Sequence, residues 1–421
     1  MTERPTELEL QFGKDLVRGA RALHDLESKR SGQEVIDFRL APREWVYEPN
    51  YFPNRTEARK YFKRISDDVL RDTPDGEYIG EKADGFLAEL EFLADPSLDQ
   101  FEERMRRMAG YYPRLIPRHE VEGAKEDVAN IFRERYGLKF DRAGWTNFFN
   151  QNRLSPSQFK REIQMSEREI ITQLVRVVGS RSHPRIRMQE VDLPEYWVGW
   201  ISANQDEVEF KYNINTINSE RLYRGAPIRV GLHEGGAHGI HAQSFLDNAR
   251  EGSVNPGRVE TTVPGVENWL MEAWASRVSK AHPSVLSHLP AEARNATELS
   301  VDLQYLTDIA LTNAQYELLV SRRKRELVTA DLQNLLPHEP KGRIELVLDQ
   351  MTNLSRPDRM FYLPVYGDGS YFFRKEIEPL SEVQKQAFTA EIHRQPMTPK
   401  QVKEFVTRLT SSNHRSNLMA S

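Results

Sequence analysis

The residues best equipped for chemistry lie between Val230 and Phe245, where the chain reads VGLHEGGAHGIHAQSF. Three of the eleven histidines, His233, His238 and His241, fall in this one segment, and Glu234 directly follows the first. A neutral imidazole is the commonest protein ligand for zinc, and a carboxylate beside it can serve as base or as ligand. Further on, ENWLMEAWASRVSK has helical spacing and sets Glu272 between Leu270–Met271 and Ala273–Trp274. An acid inside an apolar run is costly to bury unless it is paired or bound to a cation.

The spacing of the histidines decides how they can cooperate. In the familiar His-Glu-x2-His helix the imidazoles stand at i and i+4, about 40° apart around the axis. Here they stand at i and i+5, about 140° apart on a regular helix. A π-type turn at Gly235–Gly236 removes the excess, so the spacing predicts one if His233 and His238 are to share an ion. On an unbroken α-helix another set shares a face. Glu234, His238 and His241, at i, i+4 and i+7, fall within about 60° of one another. That set makes Glu234 a ligand and suits iron or manganese. A third reading is a Gly/His-rich turn whose histidines are hydrogen-bonded and hold no metal.

Composition narrows the partners. The 421 residues suffice for one large or two ordinary domains. With a formal net charge of −5, the chain offers no electrostatic case for nucleic acid. It has no cysteine, so a metal must rest on histidine and carboxylate. The first residues, MTERPTELELQFGKDL, lack the apolar core of a signal peptide, and no run nears the roughly 18 apolar residues of a membrane span. These features lead us to expect a cytoplasmic protein with no membrane partner, acting on a small molecule or a peptide. Oligomeric state leaves no trace in the sequence.

The elements that must position the histidines are mostly helical. Helical spacing runs through residues 5–30, 54–71, 80–108 (broken at Pro96) and 120–137, stopped by Gly137. Residues 1–150 therefore read as an N-terminal helical region without chemistry of its own, its lone His24 and His119 structural or exposed. Tyr47, Tyr51 and Phe52, near Pro49 and Pro53, read as an aromatic packing loop. Residues 151–400 read as the metal-binding catalytic region, and 401–421 as a helix end and mobile tail. Within the second region, Ser155 caps a helix over about 157–178 and residues 179–195 read as loop. A β hairpin spans Tyr196 to Thr216 around a turn at Asn204–Asp206. Asn213 and Asn215 alternate with Ile214 near its end, placed either to meet a substrate pairing as an added strand or to cap the following turn. Ser219 is a candidate cap ahead of Pro227. Residues 251–266 read as a Gly/Pro loop, and the basic run at 321–327 as a solvated helix face. Residues 356–377 read as a loop carrying Arg359, Tyr362, Tyr366, Tyr371 and Arg374 around Gly367–Asp368–Gly369, either folded over the metal or packing through its rings. The fold class is mainly α, helix-rich and zincin-like, with a small β hairpin or sheet beside the histidine helix.

The order of His-Glu-x3-His followed by a helical Glu resembles the gluzincin type of zinc hydrolase. An Asn-x-Asn strand, a His-Glu helix, a Glu-x-Trp-Ala helix and a Tyr/Gly/Tyr segment are also similar to a large, mostly bacterial family of zinc hydrolases. The helices of that family read approximately HE-x2-PGHH-x-Q and EGWA. The counterparts here are His233-Glu234, His238 with His241-Ala242-Gln243, and Glu272-Ala273-Trp274-Ala275, without the proline and with Ala for Gly. By spacing, the helix also resembles that of the tubulin tyrosine carboxypeptidases. The resemblance, over about 195–375, implies a helix-rich peptidase or amidase. In it, one Zn²⁺ per chain rests on His233, His238 and Glu272, and Glu234 is the general base. Tyr371, or Tyr366, stabilises the oxyanion. His241, Asn213, Asn215, Tyr366 and Arg359 then fall to the substrate. An iron oxygenase-type enzyme using Fe²⁺ on the same cluster, or a metal-free helical scaffold, are the other expectations.

Overall fold

A computed structural model describes residues 4–33, 35–45, 51–193, 197–215 and 221–418, without the side chains of 167, 168 and 412–418. Tyr47 and Pro49 of the aromatic loop, Tyr196 and Thr216 at the hairpin ends, the cap at Ser219 and the last three residues of the tail lie outside the described residues.

Local capping chemistry sets the N-terminal helices. α1 (Glu7–Ser31) opens on a Thr6/Glu9 capping box and closes at Gly32 in the left-handed conformation. Asn54 caps α2 (Arg55–Asp68), and Thr73 with Pro74 starts α3 (Pro74–Ala94). Beyond Pro96 follow α4 (Phe101–Ala109), then α5 (Arg118–Tyr136), stopped by left-handed Gly137, and α6 (Arg142–Asn152). Ser155 and Gln158 form the capping box of α7 (Pro156–Val178).

The β structure is more extensive than one hairpin. A five-stranded sheet has the order β2-β4-β3-β1-β5. β3 (Gly199–Asn204) and β4 (Val208–Asn213) are the antiparallel hairpin. β2 (Ile186–Val191) pairs parallel with β4, in a stretch expected to be loop, and β1 (Ile36–Arg39) and β5 (Glu260–Thr262) complete the sheet. β1 and β5 are short, and all three strands carry polar residues, so their local signal is weak. Pairing with neighbours distant in sequence makes them strands. β1 inserts between β3 and β5, which carries Asp37 and Phe38 from the N-terminal region to the histidine helix.

That helix is continuous and has three parts. α8 (Ala226–Gly231) leads into a π turn, Leu232–His238, and on into α9 (Gly239–Arg250). The turn expected from the i, i+5 spacing is therefore present, with Gly235 and Gly236 inside it against Ile171 and Leu174 of α7. α10 (Asn268–Ala281), which carries Glu272, starts from a segment tied to α3 by buried ion pairs: Lys82–Glu267 at 2.8 Å and Arg258–Asp75 at 2.8 Å.

α11 (Ala291–Leu319), α12 (Arg325–Leu335) and α13 (Lys341–Thr352) follow. The basic run joins α11 to α12, and its cations are partly satisfied: Arg323 meets Glu317 and Asp331, and Arg325 meets Asp349. Residues 356–377 are not a loop. They form α14 (Pro357–Met360), α15 (Leu363–Phe372) and a π turn at Phe373–Ile377. The Gly-Asp-Gly that suggested a turn instead lets α15 lie close between α10 and α11. A Cβ on Gly367 would sit 2.4 Å from the Asp308 carbonyl oxygen, and one on Gly369 2.3 Å from that of Trp269. α16 (Glu382–Arg394) and α17 (Pro399–Leu418) end the fold, and α17 runs through most of the stretch expected to be tail. No helix among the described residues is long and apolar enough to cross a membrane.

Candidate metal centre

The π turn sets the geometry of the site. Widening the helix to i→i+5 bonding swings His238 back over His233, so both rings look across at α10. There Glu272, 3% exposed, meets them: its Oε2 lies 3.1 Å from His233 Nε2 and 3.3 Å from His238 Nε2, and the two Nε2 atoms are 3.3 Å apart. Three donors around a tetrahedral ion at 2.0–2.1 Å would stand about 3.3 Å from one another. Hydrogen bonding alone would crowd two N–H groups onto one carboxylate oxygen, whereas an ion accepts all three lone pairs. The group His233, His238 and Glu272 can therefore hold a metal ion.

The surroundings orient these donors. Tyr362, just ahead of α15, donates its hydroxyl to the other carboxylate oxygen of Glu272, which leaves Oε2 facing the histidines. Tyr362 and Tyr366 hydroxyls are 3.2 Å apart, and the Tyr366 ring lies parallel to His233 at 6.2 Å. Phe38 of β1 packs edge-on against His238. Among the described residues neither histidine Nδ1 has a protein partner, so ring packing holds the imidazoles rather than the usual hydrogen bond to the far nitrogen.

Electrostatics couple the group tightly. Burial pushes His233 down to about 4. Burial also opposes charge on His238, but the Glu272 and Glu234 carboxylates outweigh it and lift His238 to about 9. Glu272, despite burial, is held far below the ordinary carboxylate range by the imidazoles. A divalent cation on these three donors would compete with protons for the same lone pairs. Burial foremost raises Glu234 to about 8. Asp37 adds negative charge near Glu234, His238 and Tyr362.

His233 and Glu234 open onto a cleft that is partly open to solvent and is lined also by Trp197, Arg221, Arg229 and Tyr366. Glu234 lines this cleft and is not among the three converging donors. Arg359 does not line the cleft; its guanidinium lies 5.5 Å over the ring of the lining residue Trp197.

The other expected residues lie elsewhere. Tyr371 is not brought to the centre. It faces a different surface hollow, beneath the guanidinium of Arg114, because a helical α15 turns Tyr362 and Tyr366 inward, one turn apart, and Tyr371 away. Asn213 is spent on backbone, bonded to both N–H and C=O of Leu193, and Asn215 donates to Asp192 at 2.6 Å. The His241 ring is closed in an aromatic box, 5.3 Å from Phe245 and 4.4 Å from His393. The set Glu234, His238 and His241 is not assembled, because the π turn breaks the regular helix it requires. Asp37 and Tyr362 are the residues the sequence left unassigned. Tyr362 stood in the aromatic segment without a distinguishing mark, and only sheet pairing brings in Asp37.

Two solved structures share this fold. A candidate lipoprotein from Colwellia psychrerythraea matches with a TM-score of 0.51 at 11% identity, over 84% of this chain and 66% of its own. A candidate lipoprotein of unknown function from Shewanella oneidensis matches with 0.50 at 13% identity, over 85% and 71%. This chain thus spans 66% of the Colwellia protein's length. At such identities the likeness speaks for the fold alone. The M32 carboxypeptidase from Deinococcus radiodurans R1 aligns over 96% of this chain and 98% of its own, but at a TM-score of 0.27 and 10% identity, too low to bear on the fold. No family model and no curated protein matches the chain.

Proposed function

We propose that this chain is a zinc-dependent hydrolase of amide or peptide bonds, with Glu234 as general base. The observation that carries the reading is the division of labour among the acids. Glu272 faces the two histidines, while Glu234 opens onto the cleft beside them and is left for proton work. Zinc on His233, His238 and Glu272 would supply Lewis acidity, bringing a water's pKa towards neutrality and polarising a carbonyl. Glu234 takes a proton from water and hands it to the departing amine. Its buried carboxyl, raised to about 8 by burial, has the proton affinity for the second step, and a nearby cation draws it back towards neutrality for the first. Tyr366, whose hydroxyl neighbours that of Tyr362 at 3.2 Å, takes the oxyanion role first given to Tyr371. Tyr362 holds Glu272 in orientation.

The test is elemental analysis of protein purified without added metal, together with the Glu234→Gln variant. The expected result is about one zinc per chain in both proteins, with turnover of acylated amino acids and small peptides only in the wild type. The same two-histidine, one-carboxylate set serves iron in oxygenases, so iron in place of zinc moves the assignment there. No metal in either protein leaves a scaffold.

A further inference from the structure

The cleft has a polar end that the hydrolytic reading does not use. Arg221 and Arg229 both line it. Arg229 stands one turn before His233 on the same helix, and its Nε donates to Ser300 Oγ at 3.2 Å. Arg221 donates one Nη to Gln304 Oε1 at 2.9 Å. Neither guanidinium has a carboxylate within 4.0 Å among the described residues, although charged groups share the cleft. Arg343 is taken by Glu339 at 2.8 Å, and Asp308 accepts from Gln304 at 2.6 Å. The two cations burden each other: burial first, then the charge of Arg221, draws Arg229 down to about 10. The charge of the buried Asp308 acts on both guanidiniums and that of Glu339 on Arg221, but neither acid reaches them as an ion pair, and planar guanidinium forks fit an oxyanion. The remaining wall is apolar and aromatic, with Trp197, Leu311, Val347, Met351 and Leu363.

We infer that the substrate is an amide bearing a carboxylate, held by Arg221 and Arg229, with its apolar body against Trp197 and Val347 and its scissile carbonyl at the His233 end. The assignment of an amide rests on the hydrolase reading. The carboxylate site does not.

Calorimetric binding of N-benzoylglycine, the neutral N-benzoylglycinamide and phenyl phosphate, to zinc-loaded and EDTA-treated protein, tests this. N-benzoylglycine should bind roughly tenfold more tightly than its amide, with or without zinc. Arg221→Met and Arg229→Met should each cut that preference to about threefold or less. Equal binding of acid and amide by the wild type overturns the inference. So does a preference that survives both substitutions and disappears with the metal, which would put the carboxylate on the ion. Tighter binding of phenyl phosphate by about tenfold overturns the carboxylate in favour of a phosphate. If Arg229→Met does not fold, Arg221→Met decides alone. A carboxylate preference without turnover of any acylated amino acid removes the hydrolase and keeps the site. Turnover indifferent to the carboxylate does the opposite.

Discussion

His238 and His241 stand three residues apart on one helix, both buried, and both reach towards α10. They end in opposite chemistry. His238 meets the Glu272 carboxylate and a second imidazole at 3.3 Å, and its basicity rises. His241 meets Phe245, Trp274 and His393, neither of its nitrogens has a partner among the described residues, and burial with the neighbouring imidazoles pushes its basicity well below the ordinary value. Residue type and burial are the same in both places. What differs is a carboxylate on the facing helix and the π turn that swings one ring towards it. A histidine becomes a candidate ligand through its partners, and an aromatic box turns the same side chain into packing.

This contrast can be broken most sharply at the carboxylate. Glu272→Ala should lower metal content from about one ion per chain to near none, read by elemental analysis, because two imidazoles alone make a weak site. His241→Phe should leave metal content unchanged, and loss of metal there would erase the distinction between the two histidines. Glu234→Gln should keep the metal and cut turnover by roughly 10²–10⁴-fold, the usual share of general acid–base catalysis. Retained turnover would remove Glu234 as base. Tyr362→Phe should weaken metal affinity by about 10–100-fold, the typical effect of losing a ligand's orienting bond, as read by competition with a chelator.

The smallest effect sharpens the packing side. His393 is pushed down to about 4, burial being the main cause, so it stays neutral when folded and takes a proton when unfolded. The unfolded chain therefore binds more protons between the ordinary histidine value of 6.5 and about 4. Stability from this residue is complete above that window and is lost as pH falls through it. The full loss is about 3 kcal/mol at most. His393→Phe should flatten the acid limb of the chemical-denaturation profile of zinc-loaded protein. An unchanged limb would mean that His393 is not held neutral by its box.

Much of this was legible in residues taken locally. Ser155 and Gly137 marked helix ends because caps act through neighbours in sequence. The i, i+5 histidines with two glycines between them implied a π turn because helix geometry admits few ways to bring both rings to one side. β1, β2 and β5 were not legible, since their pairing is with residues far along the chain. α15 was misread because glycine signals a turn and a close helix contact with the same letter.

By itself, the sequence determined that any metal must rest on histidine and carboxylate, that His233 and His238 could meet only across a π turn, and that the chain is mainly helical. Those conclusions follow from side-chain chemistry and the period of a helix. Only the tertiary structure decided that Glu272 and not Glu234 faces the imidazoles, that Tyr362 and Tyr366 displace Tyr371, and that β1 contributes Asp37. These depend on how helices and strands remote in sequence are set against one another, and side-chain direction at such a contact is fixed by packing.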